Sequence, residues 1–534
     1  MNTKSVFYIL CSLSGLSCLS LAGNKPDAPP AAPGVQNAAT DSAQNATKGP
    51  VIPVNSHGAK GDGVTDDTAA VQVAIDAAGT AGGGTVSFPA GTYVVEGLTL
   101  KSHTTLEGAA GARLRLKPRA SRGIIYAQKQ SNLRIRNLIF DPNASGQNNS
   151  NVPQTRWTIR LQDCNYCRIE DCKFTTSLEN SVDLYLSSHC WVTGCNFGGA
   201  VYGSPSETSV ADVHATSCSA VTIRDCHMIH TVPSVEARGV VGIFFSGISN
   251  GLISGCTMSN CGRGEAQSHQ GGAIDLYSIE NNNIQIENNT IEHYVYMGIR
   301  LRGTDLHVAR NHLSANRSFP ANANGIEASH SSKAMQRVWI TDNDVNCIGG
   351  GASGDGIFVS SGGKAGGANF ADFHITGNTI RNASRGIHVY RSCIGLDVSH
   401  NRISGTSSQG ILLQQSANMV MSGVTVTGNQ LDMTGNTKTI ALHVDVTRDA
   451  TITNNVILKA KMGIGLKVPS GGLLQGNTVE ASGYRFLYYN ETRDLVALDN
   501  VSKGPGPAEY HQGSDVVRKQ QTSRTPPPAP TGRR

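Results

Sequence analysis

ITGNTIRNASRGIHVYR, residues 375–391, holds one short apolar strand, an Asn between small residues, and a Gly-Ile step that opens a second strand. The same pair of signals recurs along the chain. Openings of the Gly-Ile kind stand at Gly272 (GAIDLYS), Gly298 (GIRLRG), Gly325 (GIEASH), Gly356 (GIFVSS), Gly410 (GILLQQ) and Gly463 (GIGLKV). The Asn position recurs at 289, 311, 343, 378, 401, 429, 455 and 477, and Cys172, Cys195, Cys226 and Cys256 continue its column upstream. Successive members are never closer than about 22 residues, with variable excess. A fixed coil with insertions in one or two loops gives this spacing, and a coil of two or three short strands is the unit of a parallel β-helix.

Stacking places like residues about 4.8 Å apart. A buried Asn column then satisfies its amides from coil to coil. The Cys column reads as a small apolar continuation of it. No CxxC pair has a matching second half, so these thiols do not read as a metal site. Cys167 and Cys190 fall on adjacent coils, close enough for a disulfide.

Working outward, composition agrees. Charged residues are only 16% of the 534, against 60 Gly. The net charge of +5 is concentrated in the tail, where Arg518, Lys519, Arg524, Arg533 and Arg534 face Asp515. Nucleic acid is not an indicated partner, and the oligomeric state cannot be read. Residues 1–22 read as an export signal, with Lys4, an apolar run too short to span a bilayer, and a small-x-small step at Ser20-Leu21-Ala22. Secretion or a periplasmic location is expected, and Gly15-Leu16-Ser17 before Cys18 is a poor lipoprotein signal. Residues 23–50 read as a disordered linker, 51–502 as the solenoid domain, and 503–534 as a basic Pro-rich disordered tail.

Solenoid ends need covers. HGAKGDGVTDDTAAVQVAIDAA, residues 57–78, supplies a turn and one short helix, with Thr65 or Asp66 as N-cap and an apolar stripe of Val71, Ala74, Ile75 and Ala78. With GGGTVSFPAGTYVVEGLTL from Gly82, this stretch resembles the N-terminal signature of the pectate-lyase-like superfamily, which includes rhamnogalacturonase-like and epimerase-like proteins. The resemblance implies an all-β, single-stranded, right-handed parallel β-helix with an N-terminal capping helix. It also implies an exported, carbohydrate-active protein. The turn carboxylates Asp62, Asp66 and Asp67 read as structural.

Side chains alternate in and out of the Gly-Ile strands. The first outward column reads Arg160, Asp183, Asp212, Phe244, Asp275, Arg300 and Glu327. The second reads Gln162, Tyr185, His214, Ser246, Tyr277 and Arg302. Carboxylates, arginines and aromatics in such a mix suit a sugar-binding groove. Asp212, His214, Asp275, Arg300 and Glu327 are the candidate catalytic residues. Asp183, Tyr185, Phe244, Tyr277, Arg302 and His269 are the candidate substrate contacts.

Cleavage of a uronate-containing polysaccharide by β-elimination is the leading expectation. Arg300 and Arg302 would neutralise the carboxylate, and His214 or Tyr277 would move protons. Hydrolysis by Asp275 with Glu327, or by Asp183 with Asp212, is an alternative. So are C5-epimerisation and non-catalytic polysaccharide binding. Asp212-Val213-His214 resembles the Asp-Pro-His core of mannuronan C5-epimerases, but Val213 replaces Pro, and Ser209 stands where that family has Tyr. No cofactor is required by the pattern. The outward aspartates would admit Ca²⁺, although no Ca²⁺-binding nonapeptide repeat is present.

Overall fold

The computed structural model describes residues 49–147, 157–175, 179–198, 210–230, 241–262, 271–294, 296–315, 324–330, 333–348, 354–362, 370–416, 419–436, 439–489 and 492–511, with the backbone of 517–520. The chain winds as a right-handed β-helix. Each coil contributes one strand to each of three parallel sheets, two of which contain 18 and 16 strands among the described residues. The inward residues form one continuous apolar core, from Val54 beneath the cap to Leu495.

The Gly-Ile signature has a packing cause. A Cβ on Gly356 would lie 2.3 Å from Ile380 Cγ2 and 2.7 Å from the Gly386 carbonyl, so only glycine lets the strand start press against the next coil. Ile357 then points into the core and Phe358 out of it.

The Asn column is a continuous ladder. Asn289 Nδ2 donates to Asn311 Oδ1 at 2.9 Å, and the same bond repeats through Asn343, Asn378, Asn401, Asn429, Asn455 and Asn477 to Asn500. Each Oδ1 also accepts a backbone N–H from the preceding coil, as Asn378 Oδ1 does from Asn343 at 3.0 Å. Cys256 joins the two halves: its N–H donates to Asn289 Oδ1 at 2.9 Å. Upstream, the thiols of Cys172, Cys195 and Cys226 instead donate to the carbonyl two residues back, at 3.3–3.4 Å. Cys167 and Cys190 are in register, but both are free thiols.

Helix α1 spans Thr68–Thr80 and buries Val71, Ala74, Ile75 and Ala78 over the first coils. Its N-cap is Asp67, rather than Thr65 or Asp66. The buried Asp67 carboxylate faces back along the chain and accepts from the N–H groups of Lys60 (2.7 Å) and Gly61 (3.1 Å), which fixes the turn. At the other end, strand pairing continues past 502: Glu509–His511 pairs with Phe486–Tyr488, and Val517–Gln520 with Leu495–Leu498. The solenoid thus runs further into the tail than the composition suggests. Among the described residues, no helix is long and apolar enough to cross a membrane.

Candidate active site

The 16-stranded sheet presents the outward columns. Register fixes the first as Arg160, Asp183, His214, Phe244, Asp275, Arg300, Glu327, Phe358 and His388. His214, not Asp212, stands beside Asp183. Shifting strand Ala211–Thr216 by two residues keeps Val213 and Ala215 inward, so alternation alone cannot separate the two registers. Asp212 is buried one step earlier, where its Oδ2 lies 2.6 Å from His230 Nε2. Asp183 and Asp212 are therefore not a facing pair.

Asp183 is the hub of the N-terminal part of this face. His214 Nδ1 lies 2.8 Å from Asp183 Oδ1, and Arg160 Nη1 lies 3.3 Å from Oδ2. An Nδ1–H donated to Asp183 leaves Nε2 as the basic nitrogen of the ring. The His214 ring stacks on Phe244 (centroids 4.8 Å apart), and Phe244 stacks on Tyr277 (5.4 Å). Arg160 lies 3.8 Å over the Trp157 ring and 5.3 Å from that of Tyr185. Beside this cluster opens a cavity of about 380 Å³, lined by Arg122, Tyr126, Trp157, Arg160, Gln162 and neighbouring strand residues.

Further along, Arg300 grips the buried Asp275 carboxylate with two bonds, Nε to Oδ1 at 2.7 Å and Nη2 to Oδ2 at 2.5 Å. Both guanidinium carbons, of Arg300 and Arg302, lie 5.4 Å from the Tyr277 ring centre. Burial, with the neighbouring Arg300 charge, lowers the Arg302 pKa from its ordinary value. Glu327 accepts from Asn324 Nδ2 at 2.8 Å and Ser329 Oγ at 2.6 Å. Each of these carboxylates thus faces a neighbouring side chain: Asp183 faces His214 and Arg160, Asp275 faces Arg300, and Glu327 faces Asn324 and Ser329.

The sheet thus gathers Asp183, His214, Phe244, Tyr277, Asp275, Arg300, Arg302 and Glu327 on one face, with Tyr185 beside Arg160. It does not gather Asp212. His269 lies outside the described residues. Sequence reasoning missed Arg122, Tyr126 and Trp157. Tyr126 pairs with Arg160 in register, but its coil lies upstream of Arg160, where the outward columns read from the sequence begin. Among the described residues, no three His, Cys, Asp or Glu side chains gather as a metal-ligand set. The face does not fit a Ca²⁺ cage, because Asp183 and Asp275 are each occupied by arginine.

A right-handed β-helix with a polar, aromatic-lined sheet face defines the class. The chain belongs to the right-handed β-helix proteins of the pectate-lyase-like group: the family described as "Right handed beta helix region" matches residues 206–364 and 340–501, and "Rhamnogalacturonase A/epimerase, pectate lyase-like" matches 51–206. Among curated proteins, the chain is similar to mannuronan C5-epimerase AlgE5 of Azotobacter vinelandii, 42% identical over 106 residues, 17% of this chain and 11% of the relative. It is also similar to alginate lyase 7 of the same organism, 53% identical over 64 residues, 10% of this chain and 8% of the relative. The chain spans about a tenth of the length of these relatives. Among solved structures, the Streptococcus pneumoniae surface adhesin PfbA is 17% identical, with a TM-score of 0.43 over 84% of this chain and 91% of that one.

Proposed function

We propose that the protein acts on an acidic polysaccharide by abstracting a proton next to a uronate carboxylate, with β-elimination as the outcome. The observation that carries this reading is the partly exposed His214 ring, clamped by Asp183 beside the cavity that Arg160 lines. Arg160 and Arg122 would receive the substrate carboxylate in the cavity they line. Their charges would stabilise the negative charge that develops there. His214 Nε2 takes the proton from C5, and Asp183 holds the ring and stabilises its protonated form. Electrons from the C5–H bond form the C4–C5 double bond as the C4–O bond breaks. The departing oxygen takes a proton from water, and the protonated His214 returns its proton to solvent.

Hydrolysis by paired carboxylates fits less well. Asp275 is locked in a bidentate pair and Glu327 is turned toward Asn324 and Ser329, so the two carboxyl groups are not directed at a common bond. The short matches to an epimerase named for mannuronan and a lyase named for alginate support a uronate polymer. The reading also places the protein outside the cytoplasm, where such polymers are met.

The test is product analysis on a panel of polyuronates. Fragments lighter by one water than hydrolysis products, carrying an unsaturated end, are expected. Fragments with the added water would overturn elimination. Deuterium uptake at C5 from heavy water without cleavage would redirect the same first step to epimerisation.

A further inference from the structure

A second cavity, of about 290 Å³, opens on the same sheet and is lined by Arg302, Ser329, His330, Ser360, Ser361, Gly362 and Arg391. Two arginines enter it, and none of these lining residues is acidic. Both guanidinium groups are anchored by backbone carbonyls rather than carboxylates. Arg302 donates from Nε to the Ser329 carbonyl and from Nη1 to that of Tyr277, each at 3.1 Å. Arg391 donates from Nη1 to the Ser361 carbonyl, also at 3.1 Å. A carbonyl fixes a guanidinium in place without cancelling its charge. Of the carboxylates in the column, Glu327 is tied to Asn324 and Ser329, and Asp275 to Arg300. Burial and the positive charges of Arg302 and Lys333 lower the His330 pKa, which agrees with a positive local field.

We propose that this cavity is a second anion subsite, which takes an oxyanion carried on the glycan, a uronate carboxylate or a sulfate ester. Two fixed guanidiniums and a wall of serine hydroxyls match the fork geometry of such groups. The subsite is continuous with the candidate active site. His214 stacks on Phe244, Phe244 on Tyr277, and Arg302 bonds to the Tyr277 carbonyl. Ser329 stands four coils beyond the His214 coil, so a glycan touching both would extend over about 19 Å. The protein would thereby select an extended chain with an acidic group well away from the reacting one. The inference rests on the proposed action on an acidic polysaccharide, and binding tests it apart from turnover.

The experiment is calorimetric titration in a His214→Ala background, where cleavage is slowed about 10²- to 10⁴-fold. The probes are a long homopolyuronate, its methyl ester, a sulfated galactan and a neutral glucan. Arg302→Gln/Arg391→Gln should weaken binding of the polyuronate at least about tenfold, the loss expected of charge-assisted hydrogen bonds. The Lys/Lys double variant should keep most of the affinity if charge is what binds, and the methyl ester should be insensitive to either change. A loss confined to the sulfated galactan would assign the subsite to sulfate esters. Equal affinity of parent and Gln variant for both anionic polymers would overturn the subsite and leave the His214 reading standing. Binding of the neutral glucan alone by the parent would overturn both. Thermal melts of the Gln variant distinguish lost contacts from lost folding.

Discussion

Asp183 and Asp355 are held alike. Each has an arginine on one oxygen and a histidine Nδ1 on the other: Arg160 and His214 at Asp183, Arg385 (2.7 Å) and His388 (3.0 Å) at Asp355. Each histidine also packs against a phenylalanine, at 4.8 Å for Phe244 and 5.0 Å for Phe358. What differs is access. The His214 side chain is 14% exposed, and its cluster borders a cavity. The His388 side chain is 7% exposed, and its Nε2 is enclosed with no hydrogen-bond partner among the described residues. A clamped imidazole is therefore not evidence of chemistry by itself. Both carboxylates are enclosed by the fold, but at Asp183 the clamped ring keeps more contact with solvent than the ring at Asp355.

The sharpest way to break this comparison is to remove each ring. His214→Ala should lower kcat about 10²- to 10⁴-fold, the usual contribution of a positioned general base, with little change in Tm. His388→Ala should leave turnover near the parent value and cost about 3–5 kcal/mol of stability, because it opens a buried charge cluster. Kinetics and thermal melts on the two variants check both, and a reversed pattern would put the chemistry in the C-terminal half.

The ladder offers the next largest effect. Asn378→Leu removes donors and acceptors shared with Asn343 and Asn401, and should cost about 2–5 kcal/mol in denaturant unfolding. An unchanged midpoint would mean that the amides are not coupled through the core.

A pH effect of intermediate size belongs to His230. Burial opposes its protonation, but Cys261 and Asp212 outweigh burial and push its pKa up to about 11. A group with a raised folded pKa stabilises fully below its unfolded value and loses that contribution as pH rises through the folded one. Stability should therefore decline between about pH 6.5 and 11, by at most about 1.4 kcal/mol per pH unit. His230→Gln should flatten that slope in melts taken across the range. The smallest change is expected from Cys226→Ala, at about 1 kcal/mol, because the upstream thiols make only weak bonds to carbonyls.

How much of this could be read from residues alone varied with its physical cause. The Gly-Ile and Asn columns were legible because steric exclusion and a buried amide ladder each permit one residue type. The outward position of Asp275, Arg300 and Glu327 followed from them. The strand Ala211–Thr216 was misregistered because Asp212 and His214 have the same parity and the strand lacks a Gly-Ile start. Trp157 and Arg385 were not legible: they flank the strands, and their approach to the face depends on how far each loop carries the chain. The N-cap at Asp67 was missed for a similar reason, since its carboxylate bonds backward to Lys60 and Gly61 instead of forward into the helix.

The unbroken register between the His214 and Ser329 coils makes the scaffold a ruler. Its pitch is set by backbone pairing, not by the side chains displayed on it, so distance and chemistry can change independently. Removing one whole coil between those positions would keep the core columns aligned and bring the two charged regions closer by about 4.8 Å. Inserting one would separate them by the same increment. In such a molecule, the spacing of charges along a preferred glycan is set by counting turns, and a duplication of some two dozen residues is enough to change it.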